Sequence, residues 1–176
     1  MNAIVVYESM YGNTRAVAEA VADGLGGAEV TPVHEAAGHV EDAELLVVGA
    51  PTHIHGLPTP RSRHATVEAL EKGGDAHLEP GADDEPGLRA WLDELPRSEA
   101  AHAAAFDTRL DKPSWFTGAA SRSIAKRLRR RGYDVLATES FLVEKAEGPL
   151  EDGELERARR WGRNLARSLT DARVAR

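Results

Sequence analysis

Two spacings of apolar residues alternate along the chain. Ala3-Ile4-Val5-Val6-Tyr7 is an unbroken apolar run, as a parallel strand covered on both faces should be. Over 14–25 the period lengthens, with Val17, Val21 and Leu25 on one helical stripe that Gly26-Gly27 ends. Residues 29–33 form a weaker second strand. Leu45-Leu46-Val47-Val48 is a strong third one, closed by Gly49-Ala50-Pro51. A helix is predicted over 62–72, then an excursion at 73–87 rich in Gly, Asp and Pro, then a short helix over 88–95 before Pro96. Residues 101–106 read as a fourth strand because they are apolar, although alanine also favours helix. Ala120, Ile124 and Leu128 mark the next helix, stopped by Gly132. Residues 135–143 are the fifth strand, and Ala158, Trp161, Leu165 and Leu169 mark the final helix. Such alternation predicts an α/β fold, a doubly wound parallel sheet of five strands with helices on both faces. It fills one domain over 1–176, with 73–96 inserted between the third and fourth strands.

The 176 residues suffice for one such domain and not for two. The absence of cysteine excludes a disulfide scaffold, a thiolate metal site and a cysteine nucleophile. No stretch approaches the roughly 20 apolar residues of a membrane span, and the start runs straight into a strand without a basic flank. Both features point to a cytoplasmic protein without membrane insertion. The net charge of −7 disfavours nucleic acid and suits a partner with a basic docking face. The basic runs at 126–131 and 157–167 read as solvated helix faces near helix C-termini.

The segment Ser9-Met10-Tyr11-Gly12-Asn13-Thr14 joins the first strand to the first helix. Amides at a helix N-terminus lack intrahelical partners, and the helix dipole adds positive potential there. A phosphate in such a loop satisfies those donors. Gly12 permits a tight turn and close approach, while Ser9, Thr14 and Asn13 offer hydroxyl and amide donors. A simple N-cap needs one such residue, whereas here three crowd beside a glycine. Neither a Walker loop nor a Gly-x-Gly-x-x-Gly fingerprint is present.

At these residues the chain resembles the flavodoxin family. Val5-Val6-Tyr7-Glu8-Ser9-Met10-Tyr11-Gly12-Asn13-Thr14-Arg15-Ala16-Val17-Ala18 is similar to its signature: apolar residues, an aromatic, a hydroxyl, then Gly-x-Thr opening a helix. The resemblance implies the flavodoxin-like strand order 2-1-3-4-5 and FMN as cofactor, its phosphate held by Ser9, Met10, Tyr11, Gly12, Asn13 and Thr14. It also places the flavin ring between the loops after the third and fourth strands. The first of these supplies Pro51, Thr52, His53, Ile54, His55 and Gly56, with Gly56 free to turn a peptide towards the ring. The second begins Phe106-Asp107-Thr108-Arg109 and continues past Trp115. Phe106, His53, His55 and Trp115 are the candidates to stack on the flavin. A metal at His53, His55 and His64 is disfavoured, since no carboxylate accompanies them and the flanking prolines oppose a regular strand. Arg61, Arg63 and Arg109, with the histidines, imply a higher flavin potential than in low-potential carriers.

The resemblance therefore implies a flavoprotein of electron transport, with a redox protein (a flavin or iron–sulfur reductase or acceptor) as partner. No catalytic acid, base or nucleophile is required. Two alternatives stand beside it: an oxidoreductase that is an NAD(P)H-dependent, FMN-containing quinone or flavin reductase, and a flavodoxin-like binding or regulatory domain that has lost FMN. The oligomeric state is open, with the monomer slightly favoured.

Overall fold

The computed structural model describes residues 2–38, 40–53, 56–71, 77–98, 101–112 and 118–174. Its five strands are β1 (Ala3–Tyr7), β2 (Glu29–Pro32), β3 (Leu45–Pro51), β4 (His102–Leu110) and β5 (Asp134–Val143). They form one sheet in the order β2-β1-β3-β4-β5, every neighbouring pair parallel. Five helices pack on it: α1 (Asn13–Gly24), α2 (Pro60–Glu71), α3 (Leu88–Glu94), α4 (Ala120–Arg130) and α5 (Glu154–Val174). The expected fold class and strand order are those observed.

Strand side chains alternate between faces, and the two resulting cores differ. Ala3, Val5, Leu45, Val47, Ala104 and Phe106 bury against α1 and α5. Ile4, Val6, Leu46, Val48, Ala103 and Ala105 bury against Leu88, Trp91 and Leu92 of α3 and Ile124 and Leu128 of α4. On the first face Phe106, Phe141 and Trp161 meet edge to face, with centroids 6.0, 6.2 and 6.1 Å apart, a geometry that suits the ring quadrupoles. There too the backbones of α1 and α5 touch. A Cβ on Gly24 would lie 2.1 Å from the Arg159 carbonyl oxygen, and one on Gly162 2.3 Å from that of Val21.

Element ends follow local chemistry. Helix α2 begins with Thr59 as cap and Pro60 in first position: the Thr59 amide donates to Ser62 Oγ at 2.8 Å and the Ser62 amide to Thr59 Oγ1 at 3.1 Å. The largest departure from expectation is β4, which runs through Asp107, Thr108 and Arg109 to Leu110 instead of ending at Phe106. Gly49, Ala50 and Pro51 of β3 pair with Phe106, Asp107 and Thr108, and β5 pairs with β4 as far as Leu110. These polar residues lengthen the strand because each has a partner in the tertiary structure. Nor is the second basic run wholly solvated. Arg157 lies 4.5 Å over the Phe141 ring and pairs with Glu139 at 3.0 Å and Glu154 at 2.6 Å.

The order 2-1-3-4-5 sends the chain from β1 outward to β2, and from β3 in the opposite direction to β4 and β5. The reversal opens a crevice at the carboxyl ends of β1 and β3, where α/β sheets take ligands.

Candidate functional site

The β1–α1 loop forms one end of this crevice, and its shape is held from several sides. Gly12 sits before α1 at φ 89° and has no side chain with which to cap the first turn, and among the described residues the leading amides of α1 have no side-chain partner. The Gly12 amide donates to Ser9 Oγ at 3.0 Å, folding the loop over itself and leaving the Ser9 hydroxyl hydrogen free to donate elsewhere. The buried Thr14 hydroxyl meets that of Thr108 on β4 at 2.8 Å. Asn13 Nδ2 donates to the Glu147 carbonyl at 3.0 Å, tying the loop to the turn after β5. From behind, the Glu79 amide donates to the Met10 carbonyl at 2.8 Å.

The crevice has a volume of about 430 Å³. Ser9, Met10, Tyr11, Asn13 and Thr14 line it from the loop, Pro51, Thr52 and His53 from β3 and its end, and Thr108 and Arg109 from β4. These ten residues were expected. Gly12 shapes the loop without itself lining the cavity. Ser62, Ala65 and Thr66 of α2, Leu110 of β4, and Val143 and Ala146 at the end of β5 complete the wall. Sequence reasoning missed these six. The first three stand at i, i+3 and i+4 and are all small, a signal of one helix face left open that was there to be read.

Phe106 is a correction. It is fully buried in the core facing α1 and α5, and its ring fills the space above Gly49, where a Cβ would fall 2.0 Å away. It therefore does not face the crevice. Asp107 is likewise fully buried and serves α4: its Oδ2 accepts the Ser121 amide at 2.8 Å. Gly56 lines a neighbouring chamber rather than the crevice. Ile54, His55 and Trp115 lie outside the described residues.

Charge is distributed unevenly. Arg109 lines the crevice with its guanidinium fixed by the carbonyls of Leu110 at 3.2 Å and Lys112 at 2.6 Å. Arg61 lines the neighbouring chamber. Arg63, expected with them, faces away; it donates to the Asp84 carbonyl at 3.1 Å and pairs with the Glu85 carboxylate. Burial pushes the His53 imidazolium towards losing its proton, so the ring is neutral near pH 7. Burial also raises the Tyr11 phenol. Behind the loop the Glu79 carboxylate pairs with Arg15 at 3.0 Å, and its nearer oxygen lies 3.5 Å from where a Cβ on Gly12 would stand.

The family model for flavodoxin matches residues 5–161, nearly the whole of the chain. The chain belongs to the flavodoxin family. Solved structures agree on the fold of this flavodoxin-family protein. A flavodoxin from the domain Archaea superposes with a TM-score of 0.60 at 21% identity, covering 97% of this chain and 99% of that one. Flavodoxin 1 from Bacillus cereus gives 0.59 at 19%, over 97% and 98%. A Streptococcus flavodoxin (strain TIGR4) gives 0.62 at 18%, over 95% and 99%. No curated protein matches the sequence significantly. Among the described residues, no helix of this flavodoxin-family chain is long and apolar enough to cross a membrane.

Proposed function

We propose that the chain binds FMN in the crevice and acts as an electron-transfer protein. One observation carries this reading: an uncapped helix N-terminus, flanked by the Ser9 and Thr14 hydroxyls and the Asn13 amide, opens at the switch point of the sheet. The donors are neutral and several, which suits a phosphate dianion whose ester continues into the cavity. Tyr11, Pro51, Leu110 and Ala146 offer apolar surface to a planar ring, with the buried Met10 and Val143 behind them. Both halves of the ligand thus meet chemistry that fits them.

Bound FMN supplies reversible uptake of electrons, which none of the described side chains in the crevice can provide. The protein's own contributions are binding, orientation and charge. Thr14 and Thr108 hold each other, so the Thr14 hydroxyl is oriented before a ligand arrives. Arg109 places a fixed positive charge in the wall, which favours a ring that has gained negative charge. His53, kept neutral by burial, adds a hydrogen-bonding ring rather than a second cation. A redox protein docking over the mouth of the crevice is the proposed partner, and the net charge of −7 suits a basic face on it.

The visible spectrum of the purified protein, followed by titration with FMN, tests this. Flavin bands and one FMN per chain are expected. A colourless protein that takes up no FMN overturns the proposal. A second reading, an NAD(P)H-dependent reductase, draws on the chamber that adjoins the crevice. Steady turnover of NAD(P)H with a quinone would favour it over a carrier.

A further inference from the structure

Beside the crevice lies a second chamber of about 530 Å³, which shares His53, Ser62 and Ala65 with the first as a common wall. Its remaining lining is of two kinds. Leu57 and Ala65 are apolar, and at Gly56 an added Cβ would meet, among the described residues, only Ser123 Oγ, at 3.9 Å. Arg61 and Arg89 bring two guanidinium groups, joined by the hydroxyls of Thr59 and Ser123. No Asp or Glu among the described residues lines the chamber. The Arg89 fork is fixed in advance, with Nε donating to the Pro58 carbonyl at 3.4 Å and Nη2 to that of Leu57 at 3.0 Å. Among the described residues its Nη1 has no acceptor and can donate to a ligand. Arg61 forms no hydrogen bond or ion pair among the described residues.

We infer that this chamber binds a small organic anion with an apolar, ring-sized body and a carboxylate or sulfonate head. The volume is that of a small-molecule site. Two guanidinium groups in a wall that carries no carboxylate attract an anion even on a protein of net charge −7, with the buried Glu8 carboxyl acting on Arg89 only from outside the chamber, and their planar forks match a carboxylate. The exposed Ala65, with the small part of Leu57 that reaches the surface, meets an apolar body that inorganic anions lack. The shared wall at His53 sets the ligand next to the crevice. Its role as a redox substrate rests on the FMN reading, whereas its binding does not.

Isothermal titration of the protein, as purified with its flavin content known, tests this with three probes: naphthalene-2-carboxylate, the neutral naphthalene-2-carboxamide and inorganic phosphate. The carboxylate is expected to bind at least about tenfold more tightly than either of the others, as an anion seated on both forks and an apolar wall requires. Arg89→Gln and Arg61→Gln are each expected to weaken the carboxylate about tenfold and leave the carboxamide unchanged. Arg89 also braces residues 57 and 58, so the exposed Arg61 supplies the variant that leaves the fold intact, checked by an unchanged melting temperature. Equal binding of acid and amide, phosphate binding as tightly as the naphthoate, or an Arg61→Gln variant that binds naphthoate like the parent overturns the inference. Naphthoate binding by a protein that refuses FMN would sink the proposed function and leave the chamber standing; FMN binding without naphthoate binding does the reverse.

Discussion

Two helices, α1 and α4, begin at the same edge of the sheet, and their N-termini are treated in opposite ways. At α4 the Ala120 amide donates to Thr52 Oγ1 at 2.9 Å and the Ser121 amide to Asp107 Oδ2 at 2.8 Å. Side chains from β4 and the end of β3 have consumed its donors. At α1 the capping position is a glycine, and among the described residues no side chain accepts from the Asn13, Thr14 or Arg15 amide. An anion therefore finds one open helix end at this edge and one closed end. The lesson is that hydroxyl and acidic residues near a helix start do not say whether the site is open. What matters is whether their partners come from inside the protein.

The largest effect should come from putting a side chain at the open end. Gly12→Val forces a β-branched residue to φ 89° beside the Glu79 carboxylate, a strain of about 1–3 kcal/mol in addition to blocked approach of the ligand. FMN affinity, read by flavin fluorescence, is expected to fall by roughly a hundredfold or more; a fall below tenfold would show that the loop is not the phosphate site. Thr14→Ala removes one donor and its bond to Thr108. The expected loss is about 1–3 kcal/mol of FMN binding, as for a hydrogen bond to a charged group. Unchanged affinity would remove Thr14 from the site.

The closed end should respond in stability. Thr52→Val strips a cap from α4, and urea unfolding is expected to show a loss of about 1 kcal/mol. FMN affinity should fall less than in Thr14→Ala; the opposite ranking would break the comparison. Asp107→Asn should have the smallest effect and the most particular signature. Burial raises the Asp107 carboxyl above its ordinary range, so the folded state holds its proton more tightly than the unfolded one does. That contribution is present at pH values below the ordinary carboxylate range and is lost as pH rises through the raised value. The variant, whose amide oxygen can still accept from Ser121, is expected to show a flatter dependence of stability on pH from the ordinary carboxylate range upward. Parallel curves for parent and variant would show that Asp107 ionises alike in both states.

The strands, the two-faced core and the β1–α1 loop were legible in the sequence because each is written in adjacent residues, whereas the order 2-1-3-4-5 was implied by the resemblance of that loop to the flavodoxin signature. Val5, Val6 and Gly12 need no distant partner to be interpreted. The end of β4 was not legible for the converse reason. Asp107 and Thr108 look like loop residues until Ser121 and Thr14, far away in sequence, accept or donate to them. Phe106 was misplaced by the same shortening of the strand. Counted in twos from Ala104, it belongs on the core face, and that parity was available once the strand was allowed to continue. Glu79 could not be anticipated, because it reaches the loop from an inserted segment whose path no local pattern specifies.

Gly24 and Gly162 carry one more consequence. Helix α1 starts at the β1–α1 loop, and its final residue is where it meets α5 backbone to backbone. With no side chains between them to repack, the two rods have a fixed fulcrum at the far end of α1. The loop at the near end then inherits its position from that crossing, so a bulkier residue at either glycine would tilt the turn at Gly12 from a helix length away.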